Sequence, residues 1–237
     1  MTDTANSYSF ADLVNLVYTE TNRPDLIDQT ASAVRASTLK MHGIMGNFFY
    51  KDLTLAYMPF NQSGFFQTIS TDELINFRKI KHIRKWDPNY LPSQLNLMAS
   101  NLLPAINSIY GIVSPNEALA PFEMIEVDDI FDGYKAEKTN VCYQMGNQIS
   151  LKSSTVFSKC LVHYYKWPSL GIADAGASYS SWIANEHPYC IIYDAAASLY
   201  RSTGDSDSFA QLTNPRTGLL PFEVASLVAS NAVSKGD

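Results

Sequence analysis

The densest run of groups able to do chemistry is acidic. Glu123, Glu126, Asp128, Asp129 and Asp132 crowd one short stretch. Paired carboxylates can hold magnesium or divide the roles of general acid and general base. The same run also reads as a capped helix start over Val127-Asp128-Asp129-Ile130-Phe131. There carboxylates meet free N–H groups and the positive end of the helix dipole. A metal enzyme built on this run requires a third ligand, and the sequence offers no candidate. His42, His82, His163 and His187 form no H-x-x-x-H or H-x-x-E pair, which leaves zinc without an evident home. Cys142, Cys160 and Cys190 lie too far apart for a C-x-x-C motif. No G-x-S-x-G elbow presents a serine for acyl transfer. Gly171-Ile-Ala-Asp-Ala-Gly176 lacks the Lys-Ser/Thr of a phosphate loop and reads as a flexible loop after Pro168. The sequence therefore assigns no catalytic, cofactor-binding or metal-ligating residue, and the expectation is a protein that is not an enzyme.

The basic run is sharper. Arg78, Lys79, Lys81, Arg84 and Lys85 supply 5 of the 17 basic residues within eight positions. Phe77, Ile80, Ile83 and Trp86 interleave with them. One reading is a positive strip that touches DNA phosphates or an acidic partner. The other is a strand whose polar face is simply solvated. The aromatic groups Tyr164-Tyr165-Lys166-Trp167 and Tyr179-Ser-Ser-Trp182 suit either a base-stacking surface or ordinary core and interface.

Composition narrows the classes. Of the 237 residues, 46% are hydrophobic and 17% charged, enough for a packed core. The formal net charge of -6 argues against a sequence-reading DNA binder, which is usually basic. The polar start lacks the charged-then-apolar order of a signal peptide. No apolar run approaches the roughly 18 residues that span a bilayer. The odd, scattered cysteines read as reduced core residues of a protein made in the cytoplasm.

Patterning gives a helix–strand–helix order. Ser9-Phe10-Ala11-Asp12 resembles a capping box, with Phe10, Leu13, Val14 and Val17 at helical spacing. Thr21-Asn22-Arg23-Pro24 interrupts, and Pro24 suits the first turn of a second helix. Its inner stripe is expected at Ile27, Ala31, Val34, Thr38 and Met41, closed by Gly43 and Gly46. From about 47 to 170 the signal is strand: Leu53 to Tyr57, Phe65 to Ile69, Phe77 to Trp86, and Phe157 to Trp167 buried on both sides. Leu91 to Tyr110 is mixed. Gly146-Asn147 is a hairpin turn pair. A two-residue loop there puts Val141, Tyr143 and Met145 on the face opposite Ile149 and Leu151; an extra residue or bulge puts them together. Helices return at Tyr189–Thr203, started by Pro188 and stopped by Gly204, and at 205–212. The expected fold is α+β: a helical bundle from residues 1–46 and 171–237 with an inserted antiparallel β-rich subdomain, 47–170. The segment from Leu212 to Asp237, interrupted by Pro215, Gly218 and Pro221, is expected to leave that bundle; the alternative is a tail that folds back on it. On the first reading Phe222, Val224, Leu227, Val228 and Val233 are an interface set.

Several segments in order carry a resemblance: Phe10-Ala-Asp-Leu-Val-Asn-Leu-Val, Thr21-Asn-Arg-Pro-Asp25 and Ala36-Ser-Thr-Leu-Lys-Met-His42. They are followed by Phe122-Glu-Met-Ile, Ile130-Phe-Asp-Gly-Tyr134, Gly146-Asn147, Trp182-Ile183, Ala195-Ala196-Ala197 and Gly204-Asp205. This order resembles the head-to-tail adaptor (connector) proteins of short-tailed bacteriophages across most of the chain. Ser37 in place of alanine and the stretch Leu91–Pro121 depart from the pattern. The resemblance implies a structural virion protein of the tail and neck, assembled in the host cytoplasm. It implies a homo-oligomeric ring of about twelve subunits beneath the portal protein. Such a ring extends the channel for packaged double-stranded DNA and offers docking sites to the tail nozzle and fibre proteins. The alternatives are a nucleic-acid-binding module using the strip 78–85 and a metal-dependent phosphodiesterase using the 123–132 carboxylates.

Overall fold

The computed structural model describes residues 8–44, 48–86, 121–130, 138–171 and 178–234. Gly46, Asp132, residues 91–120 and residues 172–176 of the glycine loop, on which expectations were placed, lie outside the described residues. The chain divides into two compact units, Met1–Asp52 with Trp167–Asp237, and Leu53–Lys166.

The first unit is helical. Helix α1 is Phe10–Thr21, opened by a true capping box: Ser9 N donates to Asp12 Oδ2 at 2.9 Å, and Asp12 N donates to Ser9 Oγ at 3.2 Å. Asn22 ends it in the left-handed region (φ 50°), a conformation asparagine tolerates. Arg23 then forks onto Asp25 with two N–H bonds of 2.9 and 3.0 Å. Pro24 opens a short 3-10 turn that leads into α2, Ile27–His42. The stripe of α2 is buried at Val34, Thr38 and Met41 as its spacing predicts, whereas Ile27 is exposed and Thr30 buried instead. Buried Thr21, Thr30 and Thr38 satisfy their hydroxyls on the helix carbonyls of Val17, Leu26 and Val34, each at 2.8 Å. After residue 178 come α3 (Trp182–Glu186), α4 (Pro188–Thr203), α5 (Ser206–Thr213) and α6 (Leu219–Ser234).

Helix α4 is the hub, in contact with α1, α2, α3, α5 and α6. It buries Ile191, Ile192, Ala195, Ala196, Ala197 and Leu199. The alanines let neighbouring helices approach closely on several sides. Leu13, Val17, Val34, Met41 and Ile183 complete the cluster, and so do Leu212 and Leu227 from the C-terminal segment. That segment therefore does not depart from its own unit. Gly218 permits the return: a Cβ there would stand 2.6 Å from the carbonyl oxygens of both Asn214 and Leu212.

The second unit is built on one long strand. Strands β1 (Leu53–Ser70) and β5 (Gln148–Lys166) run antiparallel, from Leu53 opposite Tyr165 to Ser70 opposite Gln148. The separate runs at Leu53–Tyr57 and Phe65–Ile69 are thus one strand, made irregular between Pro59 and Phe66. On the other edge of β5, its first part pairs with β4 (Val141–Met145) and its last part with β2 (Phe77–Lys85). Strand β3 (Pro121–Met124) joins β2 antiparallel and β4 parallel. The pairing β5–β2–β3–β4–β5 closes a four-stranded mixed barrel, with β1 as one extra strand. Its core holds Ile80, Ile83, Phe122, Cys142, Ile149, Leu151, Phe157, Cys160 and Val162.

The expected helical bundle with an inserted antiparallel subdomain is corrected accordingly. Among the described residues the fold is α+β, with six α-helices and a closed mixed barrel plus one strand. Alternation in a strand reports which face is buried but not the direction of its neighbour. The segment between Met124 and Val141 is long enough for the crossover that a parallel pair needs. The β4–β5 hairpin takes the two-residue loop, Met145 facing Gln148. Gly146 alone in it has positive φ (59°), as a type II′ turn requires. Cys142 accordingly shares the inner face with Ile149 and Leu151, and Tyr143 and Met145 face away.

Leu227 is completely buried among α4 and α5 neighbours. Leu227→Ala is expected to destabilise the protein by about 2–5 kcal/mol in chemical denaturation. A change under about 0.5 kcal/mol, as for a surface site, would show that α6 is not part of this core.

Candidate functional site

The basic strip is split by the geometry of β2. Two bulges, between Phe77 and Lys79 and between Ile80 and His82, break the simple alternation. They bring Ile80 and Ile83 to the same inner face, and Lys85 follows Ile83 inward. Lys85 is 1% exposed; its Nζ donates to Thr155 Oγ1 at 3.1 Å and lies 5.9 Å from the centre of the Phe122 ring. Lys85 is therefore removed from the candidate contact set, because it is spent inside the barrel. Lys79 and Lys81 are exposed, and Arg78 and Arg84 are half-buried.

His82, on the same strand, stacks on His163 of β5 with ring centroids 4.1 Å apart. Burial is the main cause that lowers both to about 4, with the neighbouring cations Arg84 and Lys81 adding to it. His163 Nε2 is buried without a hydrogen-bond partner among the described residues.

The described carboxylates of the run are spread over more than one element. Glu123 lies on β3 and pairs with Lys138 at 3.3 Å, while Asp128 and Asp129 belong to a 3-10 turn, Val127–Ile130. Among the described residues no group of three or more His, Cys, Asp or Glu side chains is placed to hold a metal ion. All three cysteines are buried and free, with their thiols pushed up to about 12 by burial. The aromatic groups are mostly structural: Tyr164 is in the barrel core, and Tyr179 OH meets Thr38 Oγ1 at 3.0 Å. Of the candidate interface set, Leu227 is buried in its own unit's core, which corrects it to a core residue, and Val224 is partly buried against that core. Phe222 remains 73% exposed, Val228 is half-buried, and the side chain of Val233 lies outside the described residues.

One constellation was not legible in the sequence. His42 at the end of α2 places Nδ1 2.9 Å from Asp52 Oδ1 and Nε2 2.9 Å from Ser181 Oγ. The carboxylate can only accept, so Nδ1 donates to it. Trp182 Nε1 donates to the same Oδ1 at 2.8 Å, and Oδ2 is buried without a partner among the described residues. Serine, histidine and aspartate are thus connected as nucleophile, base and orienting group are in hydrolases. The surroundings favour a clamp. Ser181 is 5% exposed, and its hydroxyl already caps α3 by accepting from Ala184 N at 3.3 Å. The indole that shares the carboxylate is wedged against Phe49, ring centroids 5.3 Å apart. The open groove between α2 and α4 is lined by none of these residues. A sequence signal existed only in kind, as three polar residues in apolar surroundings; their partners are up to 139 positions apart.

No protein-family model matches the chain, and no curated protein matches it. Among the described residues no helix is long and apolar enough to cross a membrane.

Two expectations follow. Asp52→Ala strands the buried His42 and Trp182 donors and should cost about 3 kcal/mol or more by denaturant titration; a neutral result would show that the network does not hold the unit together. The stacked histidines carry folded values below the ordinary 6.5, so the unfolded chain binds more protons between that value and about 4. Their contribution is complete above pH 6.5 and is lost as pH falls through that window. The fall in Tm from pH 6.5 to 5 should be shallower in His163→Phe than in the parent; equal slopes would refute the assignment.

Proposed function

We propose that the chain is a structural virion protein, the head-to-tail adaptor of a tailed bacteriophage, and not an enzyme. In this reading about twelve copies close a ring beneath the portal protein, as cyclic symmetry permits. The ring carries the DNA channel onward and seats the nozzle and fibre proteins.

One observation supports the reading best. Outside the Phe122–Tyr134 and Gly146-Asn147 segments of the other unit, the residues that resemble adaptors lie in a single helical unit, drawn from both sides of the barrel segment, and many of them are framework residues. Thr21, Thr38 and His42 are buried from the N-terminal side, and Ile183, Ala195, Ala196 and Ala197 from the C-terminal side. Asn22 and the Arg23–Asp25 pair form the turn between α1 and α2. Shared residues of this kind preserve a scaffold rather than a reaction centre. Ser37, which departs from the pattern, is accommodated by the scaffold: its hydroxyl donates to Asp194 Oδ2 at 2.8 Å, beside the Lys40–Asp194 ion pair.

The test is co-assembly. Purified protein mixed with portal rings of the same phage should add one closed ring per portal, seen by negative-stain microscopy and native mass spectrometry. A serine-directed fluorophosphonate should leave Ser181 unlabelled. Failure to bind portal under all salt conditions, or stoichiometric labelling of Ser181, would overturn the proposal.

A further inference from the structure

Helix α6 carries one charged residue, Glu223, in sixteen positions. A contiguous apolar patch left exposed on such a helix marks an interaction surface. Here the inner stripe, Leu220, Val224 and Leu227, packs on the unit's core, and the outer ridge does not. Phe222 precedes Leu227 by five residues, which places it on the far side of the helix. It is 73% exposed, and Leu219, one turn before it, is 48% exposed.

The same unit has a receptor for such a ridge. Helices α2 and α4 leave an open groove of about 740 Å³. Its walls include Ser32, Ala33 and Ala36 from α2 and Ser198 and Ser202 from α4. These side chains are short, so an aromatic ring can reach the floor at Leu199. Among the described residues Asp28 is the one charged residue lining the groove. Arg216, exposed just ahead of α6, is the cation that travels with the ridge. Arg216 and Asp28 therefore give ridge and groove opposite charges.

We propose that the α6 ridge, led by Phe222, docks into the α2–α4 groove of a second copy of this chain. The inference rests on the ring-subunit reading above and supplies its contact. The two surfaces are different, so the association is head-to-tail, and it closes into a ring when the rotation between copies divides a full turn. Each contact is small. In a closed ring every copy uses both surfaces, which converts weak pairwise docking into a stable assembly.

A double variant, Leu219→Cys with Ser198→Cys, tests the contact and leaves Phe222 in place. The three native cysteines are buried, so brief oxidation reads the introduced pair. A ladder of dimers, trimers and higher species on a denaturing gel is expected, with no ladder from either single variant. Asp28→Arg and Arg216→Glu, each added to that pair, should lower the cross-linked fraction at low salt by about two- to fivefold, the range of one exposed ion pair. Combining them should restore it. Circular dichroism checks that every variant is folded. Dimers from Leu219→Cys alone would mean that ridge meets ridge, and would overturn the proposal. If rings form on the portal but the double variant gives no ladder, this contact is wrong and the ring reading stands. If neither rings nor ladders form, both fall.

Discussion

A carboxylate with almost no access to water sits where the chain leaves the helical unit. Asp52 collects the imidazole of His42 and the indole of Trp182 on one oxygen. A buried charge is tolerated only where donors surround it, and removing one of them leaves the charge uncompensated. That requirement holds three separate pieces of chain together: the end of α2, the segment just before β1, and the start of α3. Ser181 extends the arrangement by capping α3 while touching the other imidazole nitrogen. Lys51 adds an outer layer, lying 5.0 Å over the Trp182 ring and pairing with Glu186. The helical unit is assembled from the two ends of the chain, and this network pins the place where they meet.

Around that pin the unit follows ordinary packing rules. Helix α4 presents alanines to several neighbours at once, and the single acid on it, Asp194, is answered from α2 by Ser37 and Lys40. Tyr200 reaches the carbonyl of Glu20 at 2.9 Å, tying α4 to the end of α1. The inner side of α6 closes the core with Leu227. Its outer side leaves Phe222 and Leu219 exposed.

The barrel unit rests on a different constraint. Strand β5 is long enough to serve β4 with its first part and β2 with its last, and the short β3 bridges the gap. Closure removes edges within the ring of four, and Pro59 lies in β1, the strand outside it, where an edge tolerates a missing N–H. The bulges of β2 adjust its faces to the curvature. They carry Lys85 into the barrel and leave Lys79 and Lys81 outside. A charge run in sequence is therefore not one surface in space.

Local chemistry was legible from the residues themselves. Ser9 with Asp12, Pro24, Pro188, Gly204 and the Gly146-Asn147 turn act within a few positions of themselves, so helix starts, helix stops and the hairpin could be read directly. The helix–strand–helix order followed from the same short-range periodicities. The direction of β3 against β4, the closure of the barrel, the burial of Lys85 and the return of Leu227 were decided only by tertiary structure. So was the meeting of Ser181, His42 and Asp52. Each depends on contacts between segments far apart in sequence, where the loss of chain entropy is recovered only by the packing of the whole unit. A residue's type records what it is able to bond with, and only the folded chain brings the partner within reach.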